Sequence, residues 1–132
     1  MIWLLDTNAV IHAIRNNPPS VRSRLTALGP DDVRVSAITI AELWYGAQKA
    51  HNPVRRRAVF EAFLAPYEVL SFDRGAAVRH AELRQALGHS PIGERDLLIA
   101  AIALDAGLGV VTNNTREFQR VPGLSVEDWT RS

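Results

Sequence analysis

The stretch Ile2-Trp3-Leu4-Leu5-Asp6-Thr7-Asn8 decides the fold of this chain, because four consecutive apolar residues are followed at once by three polar ones. An apolar run of this length is typical of a strand that is buried on both faces of a parallel sheet. Asp6 then lies where the strand ends, which is where open α/β sheets bind their ligands. On this stretch alone two interpretations of Asp6 stay open: a metal ligand, or the N-cap of the next helix.

The composition is that of an ordinary globular protein and excludes several kinds of chemistry. The 132 residues, 47% of them hydrophobic and 22% charged, predict a single domain over residues 1–132. The chain has no cysteine, which excludes disulfides, thiolate metal sites and cysteine nucleophiles. No apolar run approaches the ~20 residues of a membrane span, and the N-terminus does not resemble a signal peptide. We therefore expect a cytoplasmic protein without a membrane partner.

Strands and helices alternate along the chain. After the first strand, short strands are predicted at Val33–Ser36, Tyr67–Leu70, Gly109–Thr112 and Ser125–Val126. Helices are predicted at Asn8–Arg15, Val21–Leu28, 39–50, Val54–Leu64, 74–87 and Glu94–Ala106, with a polar turn at 113–116 and a tail at 127–132. This pattern predicts an α/β fold in which a parallel sheet of four to five strands is covered by helices on both faces.

Several acidic side chains follow a predicted strand or open a predicted helix. Glu42 is expected in the first turn of the helix after the second strand, Asp96 in the first turn of the most apolar helix, and Glu117 after the fourth strand. Parallel strands end at one edge of their sheet, so these acids and Asp6 should converge in one pocket. Taken singly, Glu42 also completes a capping box with Thr39. Asp96 also complements the helix dipole, and Glu117 also fits a solvated surface position.

A cluster of carboxylates favours a bound cation, because the like charges repel one another. Oxygen ligands select Mg²⁺ or Mn²⁺, and such ions activate water and stabilise in-line attack on phosphate. Arg95, beside Asp96, and Arg116, after the fourth strand, are candidates to contact a phosphate. A plain surface position is the alternative for both arginines.

Four segments resemble, in order, the motifs of PIN-domain ribonucleases, above all those of the VapC-type toxins of bacterial toxin–antitoxin pairs. The segments are Leu4–Asn8, Ser36–Leu43, Asp96–Ala101 and Val111–Phe118. The similarity extends over nearly the whole chain. It implies a three-layer α/β/α PIN-like domain and a Mg²⁺-dependent endoribonuclease that cleaves RNA of the tRNA or rRNA class, with Mn²⁺ as the second candidate ion.

The resemblance also implies roles for individual residues. Asp6, Glu42 and Asp96 match the family's acidic positions, which makes them the predicted catalytic residues and metal ligands. Thr7 and Asn8 match the neighbouring positions that orient the first acid or bind the scissile region. In this scheme Asp6 and Asp96 hold the ion, and Glu42 helps an activated water to attack the RNA phosphate.

The fourth acidic position departs from the family's pattern. Asn114 stands where many members carry aspartate, and Glu117 is the nearest carboxylate in sequence, so Glu117 is the predicted ligand of a second ion. Asn114, Arg95 and Arg116 are assigned to substrate binding. This departure is also the support for the alternative function, a catalytically silent PIN-like module that binds protein or RNA.

The partners that the resemblance implies are a cognate antitoxin, an RNA substrate and a second copy of the chain, so a homodimer is expected. Operator DNA would be contacted only through the antitoxin. Apolar residues near Ile11, Ile14, Leu43 and Trp44 are candidates to line the antitoxin groove, with core packing as the alternative.

Overall fold

The computed structural model describes residues 1–131 and has one five-stranded sheet. Its strands are β1 (Trp3–Leu5), β2 (Val33–Ser36), β3 (Glu68–Leu70), β4 (Gly109–Val111) and β5 (Val126–Glu127). Their order across the sheet is β3-β2-β1-β4-β5, and every neighbouring pair is parallel. The first stretch of the sequence therefore forms the predicted strand of the parallel sheet, and that strand is the central one.

Helices cover both faces of the sheet. They are α1 (Thr7–Arg15), α2 (Pro19–Ala27), α3 (Ala37–Gln48), α4 (Pro53–Leu64), α5 (Arg74–Leu87), α6 (Glu94–Ala106) and α7 (Thr115–Phe118). One hydrophobic core lies under α5, α6 and α7, and the other under α1 to α4. The predicted three-layer α/β/α architecture is therefore confirmed. Within residues 1–131 no helix is both long and apolar enough to cross a membrane.

The central strand is apolar throughout because it supplies both cores. Leu4 packs with Val110 in the core beneath α6, whereas Leu5 packs with Val111 in the core beneath α1, and all four side chains are buried. This alternation follows from the two-residue period of a strand. The register pairs Trp3 with Gly109, where an added Cβ would overlap the indole ring.

The start of α3 shows that one prediction was wrong, namely the capping box of Thr39 and Glu42. The helix begins at Ala37, and the hydroxyl oxygen of Ser36 accepts a hydrogen bond from the Thr39 N–H at 3.1 Å. Strand β2 runs directly into α3, so the last strand residue serves as the N-cap. Glu42 consequently lies in the second turn of the helix rather than the first.

The C-terminal residues are also more structured than predicted. The polar turn at 113–116 includes the start of α7, and β5 begins one residue later than expected. The predicted tail, apart from Ser132, which lies outside the described residues, packs on the protein, because Trp129 is buried. Its indole N–H donates to Glu127 at 2.8 Å, and Ser20 donates to its carbonyl at 2.7 Å. Burial of a large aromatic ring is strongly favourable, so the packing of Trp129 holds the tail against α2.

The other boundaries shift by one or two residues. Helices α1, α2 and α4 begin earlier than predicted, and the last two have Pro19 and Pro53 in their first turn. Proline is favoured in the first turn because the backbone N–H groups of that turn have no acceptor within the helix, so the helix loses no hydrogen bond when proline lacks this group. Strands β3 and β4 are one residue shorter than predicted at one end.

Candidate active site

Three polar side chains lie side by side at the carboxyl edge of the sheet, where β2, β1 and β4 end. The register pairs Leu5 with Val35 and Val111, so the residues that follow them, Ser36, Asp6 and Thr112, are neighbours. The backbone continues this pairing, since the Asp6 N–H donates to the Val111 carbonyl at 3.0 Å. The sheet thus delivers a carboxylate flanked by two hydroxyls to one edge.

A cavity of about 830 Å³ opens at this edge, and we call it the acidic pocket. It brings together most of the residues predicted to form the site, which come from β1, α1, α3, α6 and the loop after β4. Its lining consists of Asp6, Thr7, Asn8, Glu42, Gly93, Glu94, Arg95, Asp96, Leu98, Ile99 and Asn114. Glu117 and Arg116, two further predicted site residues, lie on α7 and are not part of this lining.

Asp6 forms the floor of the acidic pocket and is only 4% exposed. Its Oδ1 accepts a hydrogen bond from the Ala9 N–H at 2.8 Å, so Asp6 is the N-cap of α1. Burial raises the pKa of Asp6 to about 6, and the negative charges of Asp96 and Glu42 add to this shift. Hydrogen bonds from Thr112 and Ala9 oppose it. The capping interpretation is confirmed, and the hydrogen-bond partners of Asp6, Ala9 and Thr112, are both uncharged, so its carboxylate keeps a negative charge without a cationic partner among them.

Glu42 has a protein partner on each carboxylate oxygen. The Thr7 hydroxyl donates to Oε1 at 2.7 Å, and the Arg95 guanidinium donates to Oε2 at 2.7 Å. The Thr39 hydroxyl oxygen lies 3.1 Å from that of Thr7, which fixes the Thr7 side chain in turn. Glu42 is therefore held by α1, α3 and α6 together.

Asp96 has a neutral partner instead. The Asn114 side-chain amide donates to Asp96 Oδ2 at 3.0 Å, and the Asn114 N–H donates to the Thr112 hydroxyl at 2.9 Å. Burial raises the pKa of Asp96, and the charges of Glu117 and Glu42 raise it further. The hydrogen bond from Asn114 and the charge of Arg95 act in the opposite direction.

Glu117 lies behind Asp96 rather than in the acidic pocket. Its charge acts on Asp96, but its Oε2 is buried, lies 3.8 Å from Arg120 Nη1 and has no hydrogen-bond partner among residues 1–131. In that part of the chain no group of three or more His, Asp or Glu side chains is close enough to hold a metal ion. The carboxylates thus share a pocket without forming a closed ligand set.

Sequence reasoning missed three residues at this edge. Glu94 lines the acidic pocket, Thr39 contacts Thr7, and Thr112 contacts both Asp6 and Asn114. The signal for Thr112 was present, because it follows β4 as Asp6 follows β1. The role of Thr39 could not be read from the sequence, since it depends on where α3 begins.

The PIN domain family matches residues 3–124. This chain belongs to the PIN-domain family. Proteins named tRNA(fMet)-specific endonuclease VapC, from Salmonella typhimurium and Shigella flexneri, are 43% and 44% identical to it. The aligned parts cover 96% and 97% of this chain and 97% and 98% of those relatives.

Solved PIN-domain structures agree with this assignment. A crystal structure described as DNA-bound VapBC from Salmonella typhimurium has a TM-score of 0.90 and 42% identity over 98% of both chains. These findings confirm the predicted resemblance to VapC-type PIN-domain ribonucleases, and with it an RNA-cleaving hydrolase. The acidic pocket lies where such an enzyme of the α/β class is expected to act, beyond the carboxyl ends of the strands.

Proposed function

We propose that this PIN-domain protein is a divalent-cation-dependent endoribonuclease, the toxin of a toxin–antitoxin pair, and that its substrate is a transfer RNA. The single observation that carries the proposal is Asp6, a buried carboxylate whose protein hydrogen-bond donors are all neutral. The tRNA class is supported by two relatives above 40% identity that are named for cleavage of tRNA(fMet). Initiator tRNA is therefore the first substrate to test.

The side chains of the acidic pocket fit a Mg²⁺ ion, with Mn²⁺ as a substitute. Burial and the charges of Asp96 and Glu42 raise the pKa of Asp6, which means that they disfavour its ionised form. A cation bound beside Asp6 would stabilise that ionised form. The carboxylates of the pocket offer oxygen atoms as metal ligands, and Mg²⁺ prefers oxygen ligands. Mg²⁺ commonly binds one or two carboxylates and completes its shell with waters, so Asp6 and Asp96 suffice.

The protein residues divide the remaining work. Mg²⁺, when bound, supplies positive charge at the scissile phosphate and makes water a better nucleophile. The Asp6 and Asp96 carboxylates would hold the ion, and the Asn114 side-chain amide orients Asp96. The Thr7 hydroxyl orients Glu42, and we assign to the Glu42 carboxylate the acceptance of a proton from the attacking water. Asn8, Arg95 and Arg116 are proposed to contact the RNA backbone, as the sequence predicted.

The proposed partners follow the related structures. Several solved relatives are VapBC complexes, which supports a cognate antitoxin, and two of these complexes are described as bound to DNA. We propose that this chain reaches operator DNA only through its antitoxin. A homodimer is the proposed assembly, and light scattering at tens of micromolar should give the mass of two chains. The cytoplasm, where tRNA and antitoxin are made, is the proposed location.

The proposed groove for the antitoxin is lined by residues of α1 and α3. Leu43 is buried in the core, so core packing explains it. Ile11, Ile14 and Trp44 are partly buried against the same core and keep some exposed surface for a partner helix.

The test is expression of the protein without an antitoxin, followed by analysis of cellular RNA. We expect growth to stop and one tRNA to be cut, and Asp6→Asn or Asp96→Asn to restore growth at equal protein level. Purified protein should cut that tRNA with Mg²⁺ and stop when EDTA is added. Arrest that persists in both variants would exclude the nuclease explanation. Absence of both arrest and cleavage would favour the silent binding module.

A further inference from the structure

The acidic pocket has a large charge imbalance that bears on how RNA enters it. Four carboxylates line it, from Asp6, Glu42, Glu94 and Asp96, against a single guanidinium, from Arg95. RNA brings further negative charge, so an incoming phosphate is repelled by most of the lining. The one cation in the lining is consequently the group best placed to accept it.

The contacts of Arg95 leave most of its binding capacity unused. One nitrogen, Nη1, donates to Glu42 Oε2 at 2.7 Å, and this is its one hydrogen bond in the described part of the chain. A guanidinium carries five donors, arranged as a fork that matches a phosphate. The Arg95 side chain is 70% exposed, so these donors are accessible from solvent.

The two members of this ion pair differ in how firmly they are held. Glu42 is 21% exposed and is also fixed by the Thr7 hydroxyl, whereas Arg95 extends from the first turn of α6. Exposed ion pairs are weak, so a phosphate can replace Glu42 as the partner of Arg95. Glu42 would stay in place when Arg95 leaves, with Oε2 released.

We propose that Arg95 is a displaceable counter-ion of the acidic pocket. In the free protein it pairs with Glu42 and opposes the entry of a divalent cation. When RNA arrives, Arg95 turns to a backbone phosphate, which removes its positive charge from the carboxylates and releases Glu42 Oε2. This inference rests on the proposed nuclease function and adds a coupling to it: RNA binding favours cation binding through one side chain.

The coupling predicts that loss of Arg95 has opposite effects on the two ligands. We expect Arg95→Gln to tighten Mn²⁺ binding about fivefold, because a positive charge leaves the neighbourhood of the carboxylates. The same variant should bind RNA about tenfold more weakly, because a charge-assisted phosphate contact is lost. Arg95→Lys keeps the charge and should stay within about twofold of the parent for Mn²⁺.

The experiment measures both affinities on the purified full chain, without relying on turnover. Mn²⁺ binding is measured by electron paramagnetic resonance without RNA. Binding of an initiator tRNA transcript is measured by fluorescence anisotropy in EDTA. Arg79→Gln is the matched control, since Arg79 is an exposed arginine on α5 that does not line the pocket. It should leave both affinities unchanged.

The outcomes separate this proposal from its alternatives. Weaker binding of both ligands by Arg95→Gln would mean a structural role, and equal effects of Arg79→Gln would mean a whole-molecule charge effect. Either result overturns the proposal, as does an unchanged affinity for Mn²⁺ or for RNA. Opposite shifts in a protein that cuts no RNA would support the role of Arg95 and reject the nuclease function.

Discussion

Glu42 and Asp96 lie in the same pocket, yet the protein treats their carboxylates differently. Glu42 receives a hydroxyl hydrogen bond on one oxygen and a guanidinium on the other. Asp96 receives a neutral amide from Asn114, and Asp6 receives a backbone N–H and a threonine hydroxyl. The protein thus supplies a paired cation on the Glu42 side and only neutral donors on the Asp6 and Asp96 side.

This difference indicates where an external cation is needed. Burial raises the pKa of Asp6 and of Asp96. The charges of Asp96 and Glu42 raise the pKa of Asp6 further, and the charges of Glu117 and Glu42 raise that of Asp96. Buried carboxylates are normally stabilised by a counter-charge or by metal coordination. A Mg²⁺ ion held by Asp6 and Asp96 would supply this counter-charge, whereas Glu42 is already paired with Arg95.

The largest expected effect is the loss of catalysis when either ligand loses its charge. Asp6→Asn and Asp96→Asn should each lower kcat/KM for tRNA cleavage at least about 10³-fold, because each removes part of the cation site. Asp105→Asn, at an exposed acid further along α6, is the matched control and should cleave like the parent. A loss below tenfold in either pocket variant would contradict the assignment.

The next effect concerns the amide that holds Asp96. Asn114→Asp replaces a donor by a charge, so we expect about tenfold tighter Mg²⁺ or Mn²⁺ binding in a metal titration of RNA cleavage. Unchanged metal affinity would mean that this side chain does not act on the cation.

Glu117 tests how far the cation site extends. It acts on Asp96 from behind the pocket lining, so Glu117→Gln should reduce cleavage by about tenfold, much less than Asp6→Asn. If Glu117→Gln is as inactive as Asp6→Asn, then Glu117 is a direct part of the cation site.

The smallest effect is on stability, and its sign follows from the raised pKa of Asp6. Below about pH 4 both states bind the proton, and between pH 4 and about 6 only the folded state does. Stability therefore falls as pH rises through this window, and ionised Asp6 destabilises the metal-free fold at pH 7. Asp6→Asn keeps an N-cap residue and should raise the free energy of unfolding at pH 7 by about 2 kcal/mol.

Urea unfolding at two pH values checks this prediction in metal-free protein. The gain from Asp6→Asn should be absent at pH 3.5, and saturating Mg²⁺ should reduce it at pH 7 by stabilising the parent alone. A variant that is less stable than the parent at pH 7 would show that the burial cost of Asp6 is compensated within the protein.

The sequence predicted the elements and most of the pocket, because their signals are local. Apolar runs such as Leu4-Leu5 and Val110-Val111 specify buried strands, and residues at strand ends meet at one edge of a parallel sheet. It could not predict the partners of each acid. Arg95 and Glu42 are 53 positions apart in the sequence and lie on different helices. Their pairing also depends on where Glu42 falls along α3, which is set by the start of that helix at Ala37.

The placement of the residues at the fourth acidic position, Asn114 and Glu117, could not be predicted from the sequence either. Sequence proximity placed Asn114 and Glu117 together after β4, but the structure turns the first into the pocket and the second behind Asp96. Asn114 is the N-cap of the short helix α7 and Glu117 lies within it, and a helix of only four residues carries too weak a sequence signal to be predicted.

The most direct test of this account is the affinity of Mn²⁺ for the isolated protein and for two variants, measured by calorimetry without RNA. The ion is proposed to bind Asp6 and Asp96, because Glu42 is already paired with Thr7 and Arg95. We therefore expect Asp6→Asn to weaken Mn²⁺ binding at least about thirtyfold, and Glu42→Gln to weaken it less than about fivefold. Equal losses in the two variants would make Glu42 a direct ligand and contradict the division between the two sides of the pocket.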